Sequence, residues 1–128
     1  MKVDTTQPIW LQLVREFARR IATGEWPAGS RIPSVRELAS ELGVNPNTVQ
    51  RALAELERDG LAYSERTSGR FVTTAEERVR TARMSLAEAA AVTYAQQAHG
   101  LGLTATEAQT LIGEQWGRAA SDSETNKE

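Results

Sequence analysis

The sequence predicts a mainly α-helical protein with a small β-hairpin: a winged helix-turn-helix domain followed by a two-helix region. Three observations predict it. A first segment, 8–23, repeats apolar residues at helical spacing. Two further short amphipathic segments are joined only by Leu42-Gly43-Val44, and a tight turn holding a glycine is the joint of a helix-turn-helix unit. Two short strand-like runs then follow without a gap.

Each element has its own local cause. In the first helix Pro8 suits the opening turn. Ile9, Leu13, Phe17 and Ile21 recur every fourth residue beside Trp10, Val14 and Ala18, while Arg15, Glu16, Arg19 and Arg20 fall largely opposite. Gly24 suits its stop. Residues 24–33 read as turn material, with Pro27-Ala28-Gly29 fixing a bend. Ser34-Val35-Arg36-Glu37 is a capping box that opens a short helix, with Val35, Leu38, Ala39 and Leu42 as its apolar face. Gly43 ends it. Asn45 fits the next cap and Pro46 the first helical position, after which Val49, Ala52, Leu53 and Leu56 are helically spaced up to Gly60. Leu61–Ser64 and Arg70–Thr73 are the strands, with Thr67-Ser68-Gly69 between them. Thr74-Ala75-Glu76-Glu77 caps an alanine-rich helix running to about His99, with Val79, Ala82, Leu86, Ala90 and Thr93 near one face; a second capping box, Ser85-Leu86-Ala87-Glu88, offers a break near Met84, and one long helix is the favoured reading. Thr104-Ala105-Thr106-Glu107 caps a last helix carrying Ala108, Leu111, Ile112, Gln115 and Trp116. The expected limits are 1–73 for the winged helix-turn-helix domain, 74–118 for a helical dimerisation or effector region and 119–128 for a disordered polar tail.

Composition narrows the function classes. The chain has 128 residues, 40% hydrophobic and 25% charged, the balance of a small globular protein. It has no apolar run long enough to span a membrane, and its start, Met1 to Gln7, lacks the apolar core of a signal peptide. The cytoplasm is the expected compartment. There is no cysteine and one histidine, His99, so neither a disulfide framework nor a Cys/His zinc site can be built. No catalytic residue, metal ligand or cofactor is expected. The net charge of −2 gives no general support to nucleic-acid binding, but it is unevenly spread. Residues 1–83 hold 13 Lys+Arg against 11 Asp+Glu, and residues 84–128 hold 2 against 6.

The second helix of a helix-turn-helix unit fits the major groove, and its first turn points at base edges. Here that turn offers Asn45, Asn47, Thr48, Gln50 and Arg51. Asn and Gln match adenine edges, Arg matches guanine or phosphate, and Thr can take either role. Arg36, in the first turn of the preceding helix, is placed to reach a phosphate or a flanking base. Arg66, Ser68, Gly69 and Arg70 form the tip of a hairpin wing.

Residues 8–73 resemble the winged helix-turn-helix domain of GntR-family transcriptional regulators. The resemblance rests on Pro8-Ile9-Trp10, on Pro27-Ala28-Gly29-Ser30-Arg31-Ile32-Pro33-Ser34-Val35-Arg36-Glu37-Leu38-Ala39, and on Leu42-Gly43-Val44-Asn45-Pro46-Asn47-Thr48-Val49. It continues through Leu56-Glu57-Arg58-Asp59-Gly60-Leu61 and Gly69-Arg70-Phe71-Val72. The short region after residue 73 resembles the YtrA subfamily, whose two-helix region mainly dimerises. The resemblance implies DNA contacts at Arg36, at Asn45, Asn47, Thr48, Gln50 and Arg51, and along the wing from Arg66 to Arg70. It also implies a place at the bacterial nucleoid. One departure is that Thr67 stands where the family's wing usually carries a first glycine. The 55 residues after the hairpin fit neither the large ligand-binding domains nor the fused aminotransferase-like domain of other subfamilies.

The C-terminal region has too little apolar bulk for its own core. Pairing with a second copy would bury it, through Val79, Leu86, Ala90, Leu111, Ile112 and Trp116. A two-fold dimer implies an inverted-repeat operator, repression by promoter occlusion is the expected outcome, and a small-molecule effector or protein would act by changing the angle between the two DNA-binding heads. The expected partners are therefore double-stranded DNA, a second copy and such an effector, with no membrane. Three rival readings stand beside this one. A non-specific architectural binder would show binding that is almost wholly electrostatic. A small enzyme lacks any companion to activate Glu37, Glu41, Glu55 or Glu57. An interaction module that had lost DNA binding would not need the polar row on the second helix of the pair.

Overall fold

In the computed structural model, which describes residues 1–126, the order is α1 (Ile9–Ala22), α2 (Val35–Leu42), α3 (Pro46–Arg58), β1 (Ala62–Glu65), β2 (Gly69–Val72), α4 (Glu76–Gly100) and α5 (Ala105–Asn126). The chain divides into two compact units, Met1–Ala87 and Glu88–Glu128.

In the first unit the apolar stripes converge on one core. Leu13, Phe17 and Ile21 of α1 meet Leu38 of α2 and Val49, Ala52, Leu53 and Leu56 of α3, and Leu61, Ala62 and Val72 of the hairpin close it. Phe17 is fully buried and stacks on Trp26 with ring centroids 5.3 Å apart. Truncating such an aromatic typically costs about 3–5 kcal/mol. Ile9, expected in the stripe, is instead 41% exposed.

The caps form as the sequence requires. Ser34 Oγ accepts from the Glu37 amide at 3.1 Å, and Asn45 Oδ1 accepts from the Asn47 amide at 2.8 Å. Gly43 takes the left-handed conformation (φ 65°) that lets α2 stop and the chain turn within three residues. Ahead of α4, Thr73 Oγ1 accepts from the Ala75 amide at 3.1 Å, a side-chain turn that precedes the first helical residue, Glu76, in place of the capping box expected from Thr74.

β1 and β2 are antiparallel, pairing Ala62 with Val72, Tyr63 with Phe71, Ser64 with Arg70 and Glu65 with Gly69. Residues 24–33, expected as turn only, add a short extended edge. Arg31 pairs with Phe71, the Ile32 amide donates to the Arg70 carbonyl at 2.8 Å, and the Val72 amide donates to the Ser30 carbonyl at 2.9 Å. Pro33 favours this extended backbone in the residue before it.

α4 is one helix, as expected, but its apolar residues part company. Val79, Ala82 and Leu86 pack on the core of the first unit, whereas Ala90 and Thr93 are exposed. In the second unit Tyr94 Oη donates to the Ala108 carbonyl at 2.9 Å and Ala98 is buried. The capping box at the start of α5 is complete: the Thr104 amide donates to Glu107 Oε1 at 2.9 Å and the Glu107 amide to Thr104 Oγ1 at 3.1 Å. α5 continues to Asn126, so residues 119–126 are helical rather than a disordered tail. Ala119 and Ala120 favour helix, and no proline or glycine follows Gly117 to stop it. Residues 127–128 of that expected tail lie outside the described residues.

An ion network ties α1 to α2. Glu16 receives Arg19 and Arg20 at 2.9 Å each, and Arg20 also reaches Glu41 at 2.9 Å and Glu25 at 3.2 Å. The hydrogen bond from Arg19, helped by Arg20, outweighs the opposing effect of burial and holds the Glu16 carboxyl at about 2. A carboxyl whose folded-state value is depressed stabilises the fold above its ordinary value and loses that contribution as pH falls toward the folded-state value. Glu16→Gln is therefore expected to lower unfolding free energy by about 1 kcal/mol at pH 7. Urea unfolding should show this difference from wild type shrinking below pH 4.5 and vanishing only below about pH 2.

Candidate nucleic-acid interface

α3 is divided lengthwise. Val49, Ala52, Leu53 and Leu56 are all at most 1% exposed, and the N-terminal turns present Asn47, Gln50 and Arg51 to solvent, with Thr48 half-buried between them. Helical geometry forces this: once i, i+3, i+4 and i+7 are in the core, the intervening positions face out. Asn45 is also exposed, but its Oδ1 holds the Asn47 amide, so that oxygen serves the cap and only its amide NH2 remains to donate outward. Arg51 sits over Trp10 of α1, its guanidinium carbon 4.1 Å from the ring centroid, and the residue remains exposed. Such a cation–π contact positions the guanidinium. Arg36 is exposed in the first turn of α2.

The wing turns through Arg66, Thr67 and Ser68, all exposed. Gly69 has φ +109°, a backbone conformation that favours glycine, and a Cβ there would lie 3.0 Å from Nε of the flexible Arg31 side chain. Among the described residues no non-glycine residue has a positive φ. Thr67 thus replaces the family's first wing glycine without backbone strain.

Arg70 departs from its expected place at the outer tip. It is turned inward, with Nε 2.6 Å from Glu57 Oε1 and its side chain 18% exposed. Ser64 Oγ donates to the same carboxylate oxygen. Burial pushes the Glu57 carboxyl up, but the hydrogen bonds from Arg70 and Ser64 outweigh it and hold it below the ordinary carboxylate range. Arg70 therefore locks the wing to α3 rather than offering a free cation.

Arg31 takes the vacant role. It was not among the candidates, yet it is exposed, lies against Gly69, and lines a groove of about 440 Å³ with Ser34, Arg66, Ser68 and Arg70. The alternation of exposed Arg31 and buried Ile32 before Pro33 is the strand signal that could have found it. The groove runs from the wing to Ser34, the cap of α2, whose first turn carries Arg36.

The arginines fall into two groups. Arg19, Arg20, Arg58 and Arg70 are ion-paired; Arg31, Arg36, Arg51 and Arg66 form no ion pair among the described residues. Unpaired guanidiniums at the wing and at the first turns of α2 and α3 are suited to bind phosphate and base edges. Among the described residues no group of three or more histidine, aspartate or glutamate side chains is placed to hold a metal ion.

Residues 11–72 match the bacterial regulatory proteins of the gntR family. The HTH-type transcriptional regulator YhcF of Bacillus subtilis is 35% identical over 104 residues, 81% of this chain and 86% of that protein. The chain belongs to the GntR family. It is a DNA-binding transcriptional regulator of that family, with a winged helix-turn-helix followed by C-terminal helices. The repressor YtrA of Bacillus subtilis is 37% identical over 53% of this chain and 52% of its own length. A GntR-family regulator from Listeria monocytogenes has a similar structure, with TM-score 0.79 and 32% identity, covering 88% of this chain and 98% of the other. The DNA-binding domain of AraR, solved in complex with operator ORR3, aligns with TM-score 0.51 and 29% identity over 57% of this chain and 88% of its own. No helix among the described residues is long and apolar enough to cross a membrane.

The Glu57 junction yields a stability prediction. Glu57→Gln keeps the hydrogen bonds feasible but removes the charge, and should cost about 1–2 kcal/mol. Urea unfolding measures the loss, and amide exchange at Phe71 and Val72 should accelerate relative to that at Leu53.

Proposed function

We propose that the chain acts as a homodimeric repressor on an inverted-repeat operator, in the bacterial cytoplasm, with one α3 in the major groove of each half-site. The observation that carries this reading is the divided face of α3, flanked by unpaired Arg31, Arg36, Arg51 and Arg66. Asn47, Thr48 and Gln50 would read base edges, Arg36 and Arg51 a base edge or phosphate, and Arg31, Arg66 and Ser68 the phosphates beside the wing. The Asn45 amide and the wing backbone at Gly69 would add contacts, while Arg70 would act by holding the wing. Occlusion of a promoter by such a dimer gives repression.

The second unit supports the dimer. Leu111, Ile112 and Trp116 of α5 are 43%, 47% and 75% exposed, and Ala90 of α4 is exposed in the same unit. Exposed apolar side chains of this size on one helix support an interaction surface. Val79 and Leu86, expected in the same interface, are engaged by the core of their own unit, so the proposed interface rests on Ala90, Leu111, Ile112 and Trp116. A ligand or protein that changes the spacing of the two heads would regulate binding.

Selection from a random duplex pool at near-physiological salt tests the reading directly. An enriched inverted repeat is expected, and binding with no enriched site would overturn sequence-specific recognition. Arg66→Ala should weaken binding to all sequences and reduce the salt slope by about 1, whereas Gln50→Ala should relax preference at a single operator position. Trp116→Glu should shift the chain from dimer to monomer in sedimentation and weaken operator binding; an unchanged dimer would remove α5 from the interface.

A further inference from the structure

We propose that the cleft between α1, the end of α3 and the first three turns of α4 binds a small amphipathic monocarboxylate. The regulatory consequence rests on the DNA-binding reading above; the binding itself does not. The cleft lies wholly within the first unit and encloses about 420 Å³, within the range of small-molecule sites.

Its chemistry is two-sided. Ala18 and Leu61 form a buried apolar floor, with half-buried Leu86 beside them. The rim carries two guanidiniums, Arg15 from α1 and Arg78 from α4, and the hydroxyls of Thr81 and Ser85. Arg78, Thr81 and Ser85 stand at i, i+3 and i+7, so one face of α4 presents all three. Neither Arg15 nor Arg78 forms an ion pair among the described residues, although Arg19 and Arg20 on the same α1 are each bound to more than one carboxylate. Arg15 donates only to a neutral partner, Gln7 Oε1, at 2.8 Å. Arg78 is laid across Gly60, where a Cβ would collide with its guanidinium. The glycine that ends α3 thus opens the space in which Arg78 rests.

Two unpaired guanidiniums above an apolar floor call for one negative group on a short hydrocarbon body. Asp59, the one carboxylate among the lining residues, would repel a polyanion and so selects against phosphate esters of higher charge. A carboxylate bridging Arg15 and Arg78 would stitch the start of α4 to α1 and to the end of α3. It would thereby bias the direction in which α4 leaves the DNA-binding domain, which is where an effector gains leverage over operator affinity.

The test uses the full chain, free of DNA, followed by amide NMR during titration with sodium hexanoate, hexan-1-ol or inorganic phosphate at constant ionic strength. Hexanoate is expected to give saturable shifts at Ala18, Leu61 and Ala82, with hexan-1-ol and phosphate far weaker because each satisfies only half of the cleft. Arg78→Gln should weaken hexanoate binding by about tenfold and Arg15→Gln by less, both variants retaining the wild-type spectrum elsewhere. No saturable shift, equal shifts with hexan-1-ol, or wild-type affinity in Arg78→Gln would overturn the site. Operator anisotropy with and without hexanoate reads the consequence separately: a change in affinity that Arg78→Gln abolishes is expected, and an unchanged affinity despite binding would overturn the regulatory role. Loss of operator binding altogether would count against the DNA-binding reading and leave the NMR result standing.

Discussion

The burial of one face of α3 is the constraint on which the rest of the first unit depends. Val49, Ala52, Leu53 and Leu56 are pressed against Leu13 and Phe17 of α1, leaving none of them free to rotate outward. A helix held this way has a fixed azimuth, and with it the direction of every other side chain it carries. Asn47, Gln50 and Arg51 are exposed because their neighbours are not. The hairpin follows from the same contact. Leu61, Ala62 and Val72 complete the core, so the wing leaves the end of α3 in a set direction.

Charge is partitioned to match. Carboxylates on α1, α2 and the loop after α1 neutralise Arg19 and Arg20, and Glu57 neutralises Arg70. A desolvated guanidinium must be paired, whereas an exposed one keeps its hydration until a ligand replaces it. Arg20 and Arg70 accordingly act as ties between elements, and the unpaired arginines remain available to an anion. This explains how a chain of net charge −2 can present a cationic face. Part of the negative charge pairs with Arg19, Arg20 and Arg70 or lies in the C-terminal half, while exposed Glu65 shares the wing groove with Arg31 and Arg66, and exposed Glu37 follows Arg36.

The second unit obeys a different balance. Two helices can bury only the strip between them, here Ala98 with half-buried Tyr94, Leu103 and Ala108. The outward residues Leu111, Ile112 and Trp116 keep much of their area in water. Burying a large side chain is worth about 1.5–3 kcal/mol, so a further layer over these residues would add substantially to the stability of a small unit. That is the physical ground for the proposed dimer, and it is separate from any likeness to other proteins.

Local rules written into the sequence determined the helices, their caps and the hairpin. Helical spacing marks α1, α2 and α3, Asn45-Pro46 and Ser34 mark their starts, and Gly43 supplies the left-handed stop. The exposed row on α3 was legible for the same reason, since a period of 3.6 separates inner from outer positions without knowledge of the partner. Tertiary structure alone decided which cation meets which carboxylate and which apolar residue meets which core. Arg70 looks like Arg66 until Glu57, thirteen residues away, claims it. Arg31 becomes part of the wing only because Phe71 pairs with it, and Val79 and Leu86 turn to their own domain while Leu111 and Trp116 do not. Such pairings are chosen by juxtaposition across the fold, and chain-local periodicity carries no record of them.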